Sequence, residues 1–251
     1  MHIDIVTLFP EMVTPFFTSS IMAKAVEKGL VTYRVINFRD FALDTHKTCD
    51  DIPYGGGAGM VIKCEPIVAA LDSIDAKSKH VVFPTPSGKV FKQQDALTLS
   101  KESNLVFICG HYEGLDQRVI DEYVDDEYSI GDYVISSGEV SSVVMIDAIY
   151  RLIDGVIAKE SLEDESFSSQ LLEYPQYTRP ERYCKNSVPS VLLSGNHKEI
   201  ATWRDIRRIQ KTMQNRPDLL SLASLGTECR KKLLEVIDNK GTDQNGHDQS
   251  Y

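Results

Sequence analysis

The chain has 251 residues, 42% of them hydrophobic and 25% charged, with a formal net charge of −10. That make-up is ordinary for a soluble globular protein with one large domain or two modest ones. No apolar run reaches the ~18–20 residues that span a bilayer, and the scattered Cys49, Cys64, Cys109, Cys184 and Cys229 include no Cys-x-x-Cys pair, so reduced thiols are expected and a disulfide framework is not.

The start, Met1-His2-Ile3-Asp4-Ile5, lacks the basic opening and long apolar stretch of a secretory signal, so the cytoplasm is the expected compartment and a membrane is not a partner. Ile3 to Phe9 reads as a strand, and a helix is expected after Ser19-Ser20, whose hydroxyls suit an N-cap, ending at Gly29. Val31 to Phe38 is the next strand, Pro66 sits in the first turn of a further helix, and His80 to Phe83 and Asn104 to Cys109 complete the strand set. Glu139 to Ile153 reads as an apolar helix buried on more than one side, because Val140, Val143, Val144, Ile146 and Ile149 spread beyond one stripe. Short apolar runs alternating with helical patterns predict an α/β layer of mostly parallel strands over residues 1–157.

Residues 158–165 are polar and acidic without an apolar period and read as a linker. Asn196 to Arg216 is an amphipathic helix, with Ile200, Trp203, Ile206, Ile209 and Met213 at intervals of three or four; Trp203 is therefore expected in the core. Further short helices are expected from Pro217 through Ile237, so that residues 166–240 form a smaller helical domain, and residues 241–251 read as a disordered tail. Charge is asymmetric: Gln176 to Lys232 carries twelve Lys/Arg against five Asp/Glu, which leaves −17 for the rest. Such a basic segment on an acidic body suits a polyanion, although a solvated helix face alone would look similar.

Three loops are rich in glycine. Pro53-Tyr54-Gly55-Gly56-Gly57-Ala58-Gly59-Met60 has neither P-loop nor Rossmann spacing, and fits a ligand loop or a merely flexible one. Cys109-Gly110-His111-Tyr112-Glu113-Gly114 follows a strand, and the stretch from Ser129 to Glu139 leads into the apolar helix. Ligands of open α/β sheets bind outside the carboxyl ends of strands. Neither of these two loops carries Lys or Arg, so a ligand with hydroxyls and an amino group fits better than a phosphate. The histidines show no zinc-binding spacing, and no metal site is expected.

Taken together, Asp50-Asp51-Ile52-Pro53-Tyr54-Gly55-Gly56-Gly57, Gly110-His111-Tyr112-Glu113-Gly114, Ser129-Ile130-Gly131-Asp132-Tyr133-Val134, Tyr177-Thr178-Arg179-Pro180 and Leu192-Leu193-Ser194-Gly195-Asn196-His197 closely resemble the bacterial tRNA (guanine-N1)-methyltransferases of the TrmD type, in the SPOUT superfamily. The resemblance covers nearly the whole chain except its tail. It implies a deep trefoil knot in the first domain, an obligate homodimer with each active site built from two subunits, and methylation of N1 of the guanine immediately 3′ of the anticodon, tRNA position 37. S-adenosylmethionine is the implied methyl donor; magnesium is left open, and DNA is not a partner. The implied donor-binding residues are Thr85, Pro86, Gly110, Tyr112, Glu113, Ser129, Ile130, Gly131, Asp132, Tyr133, Val134, Ile135 and Gly138. Ser137 departs from a position that is often glycine in the family.

Guanine N1 bears a proton and is a poor nucleophile, so its methylation calls for a base and for a cation near O6. The family base is an aspartate just before a Ser-Phe pair. Here the pair is Ser166-Phe167 and the slot holds Glu165, with Asp164 as the alternative. Arg151 matches the family arginine near O6. Arg179, Lys198, Arg204, Arg207, Arg208 and Lys211 suit phosphate contact, and Asn196 and His197 suit a helix start facing RNA. Competing readings are a SPOUT enzyme acting on ribose or another base, a catalytically silent RNA-binding protein, and a small-molecule enzyme.

Overall fold

A computed structural model describes residues 1–158, 165–167, 171–220 and 231. The chain divides into two compact units, Met1–Ala158 and Lys159–Tyr251.

The first unit is an α/β layer. Its elements run β1 (His2–Thr7), α1 (Pro10–Phe17), α2 (Ser20–Glu27), β2 (Thr32–Asn37), the short hairpin β3 (Asp50–Asp51) and β4 (Val61–Ile62), α3 (Cys64–Ser73), β5 (His80–Val90), α4 (Gln93–Leu99), β6 (Asn104–Ile108), α5 (Gln117–Tyr123), β7 (Asp126–Ser129) and α6 (Gly138–Tyr150). Five strands form one sheet in the order β2-β1-β6-β5-β7, every pairing parallel. Period two sorts each strand between two cores. Ile3 and Ile5 of β1, Val82 of β5 and Leu105 and Phe107 of β6 face α1, α2, α4 and α6, whose buried residues include Phe17, Met22, Leu99 and Ile146. The alternate residues Val6, Val81, Val106 and Ile108 pack against Ile67 and Leu71 of α3 and Val119 and Tyr123 of α5.

The hairpin β3–β4 is an addition to the expected strands; those of the five-stranded sheet fall where the apolar runs place them, with two differences. β5 extends seven residues past Phe83, through Pro84 and Pro86, because its register against β7 shifts between Pro84 and Lys89. β7 arises inside an acidic cluster, since an edge strand needs only part of its length covered; Tyr128 and Ser129 are its buried residues. The helix after Ser19 begins as expected, but not through a side-chain cap: Ser19 Oγ donates to the Pro15 carbonyl at 2.7 Å. α6 ends at Tyr150, three residues before the expected Ile153.

Asp4, with 0% of its surface exposed, stands in β1 among cations. Arg34 Nε donates to it at 2.7 Å and Lys79 Nζ at 2.6 Å, and His2 Nε2 lies 3.2 Å away. Burial pushes its carboxyl upward, but the bonds from Arg34 and Lys79 outweigh this and hold it below the ordinary value. Asp4→Asn is therefore expected to cost about 3 kcal/mol in urea unfolding at pH 7, since it leaves the largely buried Lys79 ammonium uncompensated. A carboxylate with a depressed folded pKa stabilises fully above its unfolded value and loses that contribution as pH falls through the folded one. The gap between wild type and variant should accordingly close as pH drops below about 4.

In the second unit, β8 (Arg182–Tyr183) and β9 (Asn186–Ser187) form an antiparallel hairpin, followed by α7 (His197–Asn215). The hairpin is an addition to the expected all-helical composition. Asn196 caps α7, its side chain accepting from the Glu199 N–H at 3.4 Å. Asp164, most of the expected linker and short helices beyond residue 220, and the tail lie outside the described residues.

Candidate functional site

The parallel sheet sends the carboxyl ends of β5, β6 and β7 to one side, and the loops there enclose a cleft of about 260 Å³. Its walls are the irregular part of β5 (Pro84, Thr85, Pro86), the loop after β6 (Gly110 to Gly114) and the stretch from Ser129 into α6. Of the expected donor-binding residues, Thr85, Pro86, Gly110, Tyr112, Glu113, Ser129, Ile130, Tyr133, Val134, Ile135 and Gly138 line it. Gly131 and Asp132 do not. Gly131 instead supports the wall: its carbonyl accepts from Ser129 Oγ at 2.9 Å, and a Cβ there would collide with the Tyr133 ring.

The loop after β6 is locked to the start of α6. Gly138 N–H donates to the Gly110 carbonyl at 2.8 Å. The two backbones are so close that a Cβ on Gly138 would run into Gly110 N, with Gly110 O at 2.9 Å and Cys109 C at 3.0 Å. Close approach therefore belongs to Gly138. Ser137 has an ordinary extended backbone, so its departure from glycine costs the cleft nothing. Ser137 lines the cleft, and its buried Oγ has no hydrogen-bond partner among the described residues. A buried hydroxyl left this way costs free energy unless a ligand or water completes it.

The glycine-rich loop before β4 joins the same wall. Gly55, Gly56, Gly57 and Gly59 all have positive φ. Gly59 packs where a Cβ would strike the Glu113 carboxylate, and Glu113 N–H donates to the Met60 carbonyl at 2.9 Å. Glu113 is exposed at the rim, and no Lys or Arg lines the cleft. The field therefore favours a ligand carrying positive charge and hydroxyls, and disfavours phosphate.

Sequence reasoning passed over the polar network that joins the His111 wall residue to the buried start of α6. Glu139, only 1% exposed, accepts a hydrogen bond from Thr7 Oγ1, and His111 Nε2 lies 2.6 Å from its other carboxylate oxygen. Thr7 Oγ1 also accepts from the Phe9 N–H at 2.9 Å, and Phe9 packs on the His111 ring with centroids 4.7 Å apart. This network ties β1, the loop after β6 and α6 together. The available signal was a lone carboxylate opening an otherwise apolar helix, which needs a buried partner. Next to it, Cys109 Sγ lies 3.3 Å from Ser142 Oγ. Burial pushes the Cys109 thiol far up, and the Glu139 charge adds to this.

Arg151 stands at the other end of α6 as its C-cap, about 20 Å from Gly138 along a helix rising 1.5 Å per residue. It does not line the cleft of its own chain. Glu165 belongs to the second unit, where Ser166 Oγ accepts from the Glu173 N–H at 3.0 Å. Also in that unit, Arg179, Asn196, His197, Lys198, Arg207 and Lys211 are exposed, and Arg204 is partly covered. Arg208 is only 8% exposed and engaged within the fold. Among the described residues no group of three or more His, Cys, Asp or Glu stands where it could hold a metal ion, and no helix is long and apolar enough to cross a membrane.

Comparison with known proteins agrees over nearly the full length. The family model described as tRNA (guanine-1)-methyltransferase TrmD matches residues 1–222. A tRNA (guanine-N(1)-)-methyltransferase of Treponema denticola is 57% identical over 243 residues, covering 96% of this chain and 100% of the relative. Its namesake in Treponema pallidum is 55% identical over 241 residues, covering 95% and 96%. That of Borrelia duttonii is 58% identical over 221 residues, covering 87% and 92%.

Proposed function

The chain belongs to the tRNA (guanine-1)-methyltransferase TrmD family, and from that premise we propose that this tRNA (guanine-N1)-methyltransferase takes its methyl group from S-adenosylmethionine bound in the cleft and delivers it to the guanine at tRNA position 37. The observation that carries the reading is the cleft itself. It is built from glycine-bearing loops at the ends of parallel strands, has no Lys or Arg in its lining, and is lined by Ser137, whose buried hydroxyl has no partner among the described residues, a fit to a cationic donor with a ribose and an amino group.

When bound, the donor supplies a methyl group already activated by its positive sulfur. The residues of the chain must then deal with guanine. Glu165 takes the N1 proton as the new N–CH3 bond forms and the S–CH3 bond breaks, leaving a neutral thioether. Arg151 meets the charge that gathers on O6. Glu113 faces the positive end of the donor, and the Glu139–His111–Thr7 network holds the loop that carries it. Holding donor and base in line supplies much of the remaining acceleration.

The same reading takes the first unit as a trefoil-knotted donor-binding domain over residues 1–157, joined by a linker at 158–165 to a tRNA-binding domain at 166–240, and places the enzyme in the cytoplasm. It makes the working form a homodimer. Two observations support this. Arg151 and the cleft sit at opposite ends of α6, so a second copy brings an arginine to each cleft. Val140 and Val144 on α6, with Met12 on α1 and Ile21 on α2, are large apolar side chains left exposed.

Labelled S-adenosylmethionine offered with tRNA transcripts carrying guanine or adenine after the anticodon tests the proposal. N1-methylguanine is expected in the first transcript by mass spectrometry, and no transfer to the second. Donor binding with neither transcript methylated would remove it.

A further inference from the structure

Among the described residues, Trp203 stands outside the buried apolar cluster of its unit. Among those residues the cluster is Leu171 and Ile209, with Ile206, Met213 and Leu220 packed around them, and Tyr174 is buried beside it. Trp203 is half-buried, with its ring centroid 6.3 Å from that of Tyr177 and the planes tilted by 56°. Arg207 lays its guanidinium over the indole at 5.5 Å, steadied by Nη1 donating to Gln210 Oε1 at 2.8 Å. Arg204 lies over the Tyr174 ring at 4.7 Å, and its Nε has no hydrogen-bond partner among the described residues. Tyr177 is the open member, 48% exposed.

Two kinds of group are thus held side by side: flat π-faces, and cations that no acidic side chain pairs among the described residues. An acidic peptide would use the cations and waste the rings. An unpaired nucleobase on its phosphate backbone uses both, stacking on the aromatic face while the flanking phosphates meet the arginines. Resting on the tRNA reading above, we propose that Tyr177, backed by Trp203 and Arg207, is a stacking platform for one unpaired nucleobase of the tRNA, with Arg204 and Arg207 on the adjoining phosphates.

Trp203 is the only tryptophan in the chain, so intrinsic emission of the full-length enzyme reports this place without a label. A full-length tRNA transcript is expected to quench it saturably, while heparin, a polyanion without bases, leaves it unchanged. Tyr177→Leu should raise the Kd for tRNA about tenfold at every salt concentration, and Tyr177→Phe, which keeps the ring, should bind within about twofold of wild type. Arg207→Gln should instead lower the salt slope by about one. Among transcripts with single abasic positions across the anticodon loop, one should weaken binding to wild type about as much as Tyr177→Leu does, with no further loss when the two are combined.

Methyl transfer is followed in the same samples. Transfer with unchanged emission at saturating tRNA overturns the platform and leaves the enzyme's function standing, as does wild-type affinity in Tyr177→Leu or quenching by heparin. Absence of both tRNA binding and transfer overturns the underlying reading, and the platform with it.

Discussion

Glu165→Gln is expected to lower kcat by roughly 10²- to 10⁴-fold, the range that general-base catalysis contributes. The exchange keeps the size and shape of the side chain and removes only its capacity to hold the N1 proton. Donor affinity, read by calorimetry with S-adenosylhomocysteine, and tRNA affinity should therefore stay within a few-fold of wild type. Single-turnover measurement isolates the methyl-transfer step from product release. A variant that transfers at the wild-type rate would take Glu165 out of the role and leave Asp164 as the carboxylate to test. The substitution is informative because the slot proposed for the base holds glutamate where the resemblance implies aspartate, so proton acceptance there would work with one more methylene.

Gly138→Ala is expected to reduce kcat/KM for the donor about 10²-fold, a loss typical of displacing a bound reactant by about 1 Å. The added methyl would enter the contact between the start of α6 and the backbone of Gly110 and Cys109. Backbone cannot move aside as the end of a long side chain can, so the loop after β6 must detach from the helix. That loop carries Gly110, Tyr112 and Glu113. Overpacking of this kind costs about 1–3 kcal/mol of stability, so thermal unfolding should remain cooperative while donor binding fails. Ser137→Ala makes the matching control: it removes the orphaned hydroxyl without steric conflict, and its effect is confined to whatever that hydroxyl bonds in the complex. Normal donor affinity in Gly138→Ala would mean that the loop does not need its seat on α6.

The strands were legible because short apolar runs in a sheet covered on both faces have few other readings. Pro84 and Pro86 hid the second half of β5, since proline marks a stop unless a register shift absorbs it, and sequence does not announce such a shift. Asp126 and Glu127 hid β7, an edge strand. α4 and α5 have seven residues each, too few for a helical period to stand out. The cleft was legible from glycine-bearing loops, whose spacing is local. The Thr7–Glu139–His111 network was not, because its members come from three distant segments and meet only in the fold. Trp203 shows the opposite failure. Its spacing on α7 is that of a core residue, but among the described residues the indole is only partly buried and stands outside the cluster of Leu171 and Ile209.

Cys109 gives the arrangement a chemical consequence. A thiolate is a far stronger nucleophile than the amide-like nitrogen of guanine, and this sulfur lies one residue from the wall of a cleft proposed to hold a reactive methyl sulfonium. Were it ionised, the enzyme would be a competing acceptor for its own reagent, and each such event would leave a dead, alkylated protein. Complete burial and the neighbouring Glu139 charge keep the proton on the sulfur. With the donor bound as proposed, the packing that seats the loop would thus also keep this thiol from competing with guanine.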